Sequence, residues 1–182
     1  MALTRRNLAF YAGAGLAACA LPVEKLMAAV AAHGEEVARR LADVARLDRD
    51  ESFWRDEVSA ESFAVLFNED TERPFSSPLN DEKRAGTYVC AACYLPLFSS
   101  ESKFDSGTGW PSFTAPIDDA AVGKKKDFLL FLPRTEYHCA RCGGHQGHVF
   151  NDGPKPTGQR WCNNGVALRF VPAGEALPAL RG

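Results

Sequence analysis

Nowhere in these 182 residues is there an apolar run long enough to cross a bilayer. The one extended apolar stretch, residues 11–21, falls short of the roughly 20 residues a spanning helix needs, and Pro22, Glu24 and Lys25 break it off. Basic tracts are missing apart from the triplet Lys124-Lys125-Lys126, and the net charge is −2, so the broad positive surface that nucleic acid requires is absent. The triplet itself reads as a solvated loop. No internal repeat and no low-complexity tract occurs, and 46% hydrophobic with 24% charged residues excludes a disordered or fibrous chain. The length suits one domain with a sizeable core and is tight for two.

The first 32 residues read as an export signal. Arg5-Arg6 precede a Gly/Ala-rich apolar stretch, the pattern of a twin-arginine signal that carries folded proteins across a bacterial membrane. Leu16-Ala17-Ala18-Cys19 has the look of a lipoprotein box, with a lipid anchor at Cys19, and the competing reading is cleavage near Ala29-Val30-Ala31. Either way Cys19 is no catalyst, and the implied location is the periplasm or cell envelope of a bacterium.

Downstream, Val37, Leu41, Val44 and Leu47 recur at helical spacing, which predicts an amphipathic helix over 35–47 within a linker at 33–50. Ser59 can cap a second short helix running to about Phe67, with Phe63, Leu66 and Phe67 as its buried side. After Pro74 the texture becomes short apolar runs between Gly, Pro, Asp and Asn clusters, the signature of a mainly β, mostly antiparallel domain. Strands are expected at 87–90, 103–105, 128–132, 135–139, 147–150 and 166–170. The domain would span 51–173, with a loose tail at 174–182.

Cys90-Ala-Ala-Cys93 and Cys139-Ala-Arg-Cys142 are two Cys-x-x-Cys pairs, each able to present two thiolates to one ion from a tight turn. Four sulfurs fill a tetrahedral zinc shell, so one structural Zn2+ per chain is expected. Two local disulfides, a redox dithiol, or an iron centre on the same ligands remain as alternatives. A thioredoxin-like dithiol lies between a strand and a helix start, whereas these pairs sit in Gly/Pro-rich β texture.

That leaves Cys162 as the unassigned thiol of the mature domain. Arg160 stands two residues before it and would share its face on a strand, favouring the reactive thiolate. Upstream, His145 and His148 lie three apart in a Gly-rich segment and offer a proton donor or acceptor near neutral pH. Trp161 and Val166 read as core, and the polar flank Arg160, Asn163 and Asn164 has no evident core role.

These residues resemble the methionine sulfoxide reductases of the B type, which act on the R epimer. The resemblance runs from about Trp54 to Pro172 through Thr71-Glu72-Arg73-Pro74-Phe75-Ser76, the first Cys pair, the segment from Lys103 to Phe113 with Gly107-Thr108-Gly109-Trp110-Pro111, the second Cys pair, His145-Gln146-Gly147-His148-Val149-Phe150, Asp152-Gly153-Pro154 and Arg160-Trp161-Cys162. It implies two small antiparallel sheets arranged like a tent, short N-terminal helices, and zinc remote from the reaction. It further implies Cys162 as nucleophile, Trp110 and neighbouring Phe113 as the substrate-binding wall, and His145, His148, Asp152, Arg160 and Asn164 around the reacting atoms. His148 is the expected acid.

The chain departs from the resemblance at Thr108, where many members carry a second, resolving cysteine. The sulfenic acid left on Cys162 would then wait for an external thiol reductant, thioredoxin-like or otherwise. Substrates would be oxidised proteins or free methionine sulfoxide. Two rival readings are a non-catalytic zinc-ribbon binding module, which leaves Cys162 unexplained, and a zinc hydrolase using His145 and His148 beside Asp152.

Overall fold

Five aromatic side chains decide how the strands come together. Phe98 stacks on Phe113 with ring centroids 4.2 Å apart, Tyr88 meets Phe113 edge-on at 5.0 Å, and Tyr137 meets Trp161 at 4.9 Å. All five are buried. Each ring contributes about 2–3 kcal/mol by removal from water, and each well-oriented pair about 1 more.

The computed structural model describes residues 23–42, 44–127 and 134–182. Three helices, α1 (Val23–Ala42), α2 (Glu51–Glu57) and α3 (Ala60–Asn68), precede the strands. These are β1 (Gly86–Cys90), β2 (Pro96–Ser99), β3 (Lys103–Phe104), β4 (Ser112–Phe113), β5 (Val122–Asp127), β6 (Arg134–Cys139), β7 (His145–Phe150), β8 (Arg160–Asn163) and β9 (Leu168–Pro172). A three-stranded sheet has the order β2-β1-β9 and a six-stranded sheet the order β3-β4-β8-β7-β6-β5. Every pairing is antiparallel, so the expected mainly β fold of two sheets is the one found. The aromatic cluster joins them, with Tyr88 and Phe98 from the small sheet and Phe113, Tyr137 and Trp161 from the large one.

Helix α3 forms as its sequence predicts. The Ser59 hydroxyl accepts from the Ser62 N–H at 3.1 Å, Phe63 and Leu66 are buried, and Glu69 ends the helix in the left-handed region at φ 57°. The helix expected at 35–47 instead starts at Val23 and stops at Ala42, because Val44 and Leu47 pack on the main core and the Leu47 N–H bonds the Arg141 carbonyl. This segment is docked on the small sheet. Val37 packs with Val89, Val171 and Leu177, His33 bonds the Thr87 hydroxyl at 2.9 Å, and Arg40 donates to the Pro178 carbonyl at 2.8 Å.

The C-terminal residues are likewise not a loose tail. Leu177 is buried, and Arg181 bonds the carbonyls of Ala92 and Cys93, tying the chain end to the first cysteine turn. Lys124, Lys125 and Lys126 lie on strand β5 rather than in a loop, with Lys125 paired to Glu69 and Glu136. β5 is an edge strand, and lysines there discourage pairing with other chains. Strands β2, β4, β5 and β8 are not among those expected from the sequence. The strand expected at 128–132 lies outside the described residues, as do the Arg5-Arg6 pair, the apolar stretch and Cys19. No helix among the described residues is long and apolar enough to cross a membrane.

Candidate active site and metal centre

The two cysteine turns are built alike. In the first, Cys90 N–H bonds the Leu95 carbonyl and Tyr94 N–H bonds the Cys90 carbonyl. In the second, Cys139 N–H bonds the Gly144 carbonyl and Gly143 N–H bonds the Cys139 carbonyl. The fifth residue of each turn is left-handed, Tyr94 at φ 62° and Gly143 at φ 77°. The result brings four buried sulfurs within 4.8 Å of one another, with Cys90 Sγ to Cys142 Sγ at 3.6 Å and Cys93 Sγ to Cys139 Sγ at 3.5 Å. A zinc tetrahedron with bonds of about 2.3 Å has edges of about 3.8 Å, so the donor set fits a single ion. The Gly144 N–H and the Gln146 amide each point at a sulfur from 3.5 Å, as donors to thiolates do.

Cys162 sits in the middle of the large sheet, opposite Ser112 on β4 and opposite His148 on β7. Close approach on the β7 side depends on Gly147, where a β-carbon would stand 1.9 Å from the Cys162 carbonyl oxygen. The thiol opens into a cavity of about 160 Å³ whose lining includes Thr71, Trp110, Arg134, His148, Phe150 and Asn164. Trp110 is held upright by its indole N–H, which donates to the Glu72 carbonyl at 2.9 Å. The loop before it turns at Gly109, φ 91°, whose missing β-carbon would collide with Pro74 and Phe75.

The sequence predicted that Arg160 would favour the thiolate, and its direction is right but its weight is not. Burial is the largest influence on Cys162 and pushes the thiol up. The Arg160 charge and hydrogen bonds from Thr108 and Arg160 offset this only in part. Much of the guanidinium is engaged elsewhere. It grips Asp152 with two bonds, at 2.8 and 2.9 Å, and lies over the Phe150 ring at 4.3 Å. The Asp152 side chain is 60% exposed, so the pair is worth at most about 1 kcal/mol and serves to orient Arg160. Asp152 does not line the cavity.

His148 does line it, with Nε2 2.8 Å from Asp127 Oδ2. Burial holds its pKa below the ordinary value, and neighbouring Arg134 and His145 add to this, against the pull of Asp127. The resting ring is neutral. Since a carboxylate only accepts, the ring proton belongs on Nε2 and Nδ1 is the basic nitrogen.

His145 does not line the Cys162 cavity. It is buried, its Nδ1 bonds Glu136 Oε1 at 2.9 Å, and it lines a different, polar cavity beside Cys142. A three-residue spacing on a regular strand puts side chains on opposite faces, yet the two imidazole centroids are 5.5 Å apart. The reason is a β-bulge. Tyr137 pairs with Gly147 while His138 pairs with His145, which leaves Gln146 as the extra residue and returns His145 to the face of His148.

Phe113, expected in substrate binding, is wholly buried in the aromatic core and does not reach the cavity. Phe150 supplies the second aromatic surface instead. Asn164 lines the cavity, but its amide is committed to the protein, accepting from Glu72 N–H at 3.0 Å and donating to the Gln146 carbonyl at 3.1 Å. The polar flank thus has a core role after all, since Arg160, Asn163 and Asn164 are all buried and bonded. Sequence reasoning missed Thr71, Arg134, Phe150, Asn163 and the brace Glu72, whose buried carboxylate accepts from the N–H groups of Gly165 and Val166.

Thr108 touches the nucleophile, and its hydroxyl continues through Ser106 to Ser112 by two bonds of 2.8 Å. A threonine therefore stands beside Cys162 at the position where the resemblance puts a second cysteine in many family members.

A family model described as the SelR domain matches residues 58–172. Among curated proteins, a peptide methionine sulfoxide reductase MsrB of Pseudomonas putida (strain W619) is 51% identical over 127 residues, 70% of this chain and 96% of that protein. The protein of the same description from Bradyrhizobium diazoefficiens is 52% identical over 124 residues, 68% of this chain and 89% of its own length. One from Methanosarcina mazei is 49% identical over 126 residues, 69% and 90% of the two chains. A thiol outside the sulfur cluster, set in an aromatic-walled cavity beside a neutral histidine, agrees with what that similarity says: the chain belongs to the SelR family of methionine-R-sulfoxide reductases.

Proposed function

We propose that this enzyme reduces the R epimer of methionine sulfoxide in peptides and oxidised proteins with Cys162 as nucleophile, in a cavity walled by Trp110 and Phe150. The observation that carries the reading is the placement of Cys162, a thiol outside the four-sulfur cluster, in that cavity opposite His148. The Cys162 thiolate attacks the sulfoxide sulfur while His148 gives its proton to the oxygen; the new S–S bond and the S–O bond then break as the OH passes to Cys162, leaving sulfenic acid and free methionine. One external thiol then forms a mixed disulfide and releases water, and a second restores Cys162, so two thiols become one disulfide per sulfoxide reduced. Cys90, Cys93, Cys139 and Cys142 would hold one zinc ion that supplies folding free energy and no chemistry at the cavity. The relatives' description as peptide methionine sulfoxide reductases supports the substrate class. Export by the twin-arginine route to the periplasm or cell envelope, with lipidation at Cys19 as one form, is supported by Arg5-Arg6 and the apolar stretch after them.

The pKa directions give this mechanism a pH signature. The active form carries one proton shared between Cys162, which burial raises above the ordinary thiol value, and His148, which burial lowers below the ordinary imidazole value. Below the His148 value the thiolate fraction falls while the histidine is already protonated. Above the Cys162 value the histidine has lost the proton it must give. Assay of both epimers with dithiothreitol should show turnover of the R form alone, flat between those limits and falling outside both. Equal turnover of the S epimer, or a sharp optimum inside the window, would refute the assignment.

A further inference from the structure

Gln146 is fully buried, carries an amide with no part in the reaction described above, and is the extra residue of the β7 bulge. Its Nε2 donates to Cys90 Sγ at 3.5 Å on one side, and its Oε1 accepts from Asn163 Nδ2 at 3.5 Å on the other. The Asn164 backbone and side chain both bond its carbonyl, at 2.9 and 3.1 Å. Asn163 is clamped in turn by the Tyr137 hydroxyl at 2.6 Å, and its N–H bonds the carbonyl of Pro111, next to Trp110. Asn163 and Asn164 both line the cavity of Cys162. A bulge next to an active site typically re-aims a side chain, and here it delivers one amide to two places at once.

We propose that Gln146 is a positioning residue that couples the four-cysteine metal centre to the substrate cavity, through Asn163 and the Pro111-Trp110 wall. The inference rests on the reading of the Cys162 cavity as the substrate site. A thiolate held by a metal is a fixed, charged acceptor, so it anchors the Gln146 amide, and the amide fixes the rotamer of Asn163. Coupling of this kind is reciprocal: a substrate seated against Cys162 and Trp110 reaches buried Asn163 through its chain neighbour and through the Pro111 carbonyl, and so changes the hydrogen bond received by Cys90 sulfur.

The test uses the full domain with Cys162→Ser, so that substrate binds without turnover, and with Co2+ in place of Zn2+. Sulfur-to-cobalt charge-transfer absorption then reports the four thiolate bonds, that of Cys90 among them, and binding of N-acetylmethionine R-sulfoxide is measured separately by equilibrium dialysis. Saturating substrate should shift that absorption when Gln146 is present and leave it unmoved in Gln146→Leu, whose substrate Kd should rise about 5-fold, the low end of ordinary coupling. Gln146→Met serves the same comparison if the leucine variant does not fold. No shift with Gln146 intact, or the same shift without it, would overturn the inference while leaving the active site where it is. Failure of the sulfoxide to bind at all would overturn the site reading and the coupling together.

Discussion

Replacing Cys162 by Ser should lower turnover of the R sulfoxide by at least about 1,000-fold while bound metal and folding stay within about 1 kcal/mol of the parent. The loss is large because the nucleophile is also the group that is oxidised. A serine hydroxyl stays protonated at neutral pH and cannot accept the oxygen to form a sulfenic acid. The metal should be untouched because the four sulfurs at Cys90, Cys93, Cys139 and Cys142 are a separate cluster on the turns after β1 and β6. Steady-state assay beside a metal count decides it. Activity within tenfold of the parent would remove Cys162 from the mechanism.

Serine at Cys90 or Cys142 should have the opposite profile, in which the metal is lost and the fold goes with it. All four sulfurs are buried, and each turn also anchors other parts of the chain, the first through Arg181 and the second through the Leu47 bond to Arg141. A structural zinc site contributes on the order of 10 kcal/mol, against about 5–15 kcal/mol for the net stability of a whole domain. Either variant, or treatment with a strong chelator, should therefore abolish the cooperative thermal transition seen by circular dichroism. A metal-free protein that remains folded and active would contradict a structural role for the cluster.

What the sequence made legible was chemistry carried by local spacing. Two Cys-x-x-Cys turns, a capping Ser59, and a thiol left over after the metal is supplied can each be read within a few residues, and the structure places each in its expected setting. What it hid depends on register and long-range contact. The bulge at Gln146 decides which face His145 occupies, and the β4-β8 pairing sends Phe113 into the core while Phe150 meets the cavity. Neither is visible in composition or alternation, since an extra residue in one strand reverses every face before it. The same holds for the lysine triplet and the chain end. Lys125 is on a strand because β6 is beside it, and Arg181 is ordered because the Ala92 and Cys93 carbonyls need a donor. The Arg160–Cys162 relation shows the energetic form of this limit. The guanidinium does lower the thiol's pKa, but burial, a property of the whole fold, outweighs it.

Cys162 carries the oxidised intermediate, and Thr108, not a second thiol, occupies the place beside it. Stoichiometric R sulfoxide, no reductant, and dimedone as trap should give a single adduct at Cys162 by mass spectrometry, with no new disulfide. An intramolecular disulfide between Cys162 and any of Cys90, Cys93, Cys139 or Cys142 would contradict it, because one of the presumed metal ligands would then be the resolving thiol.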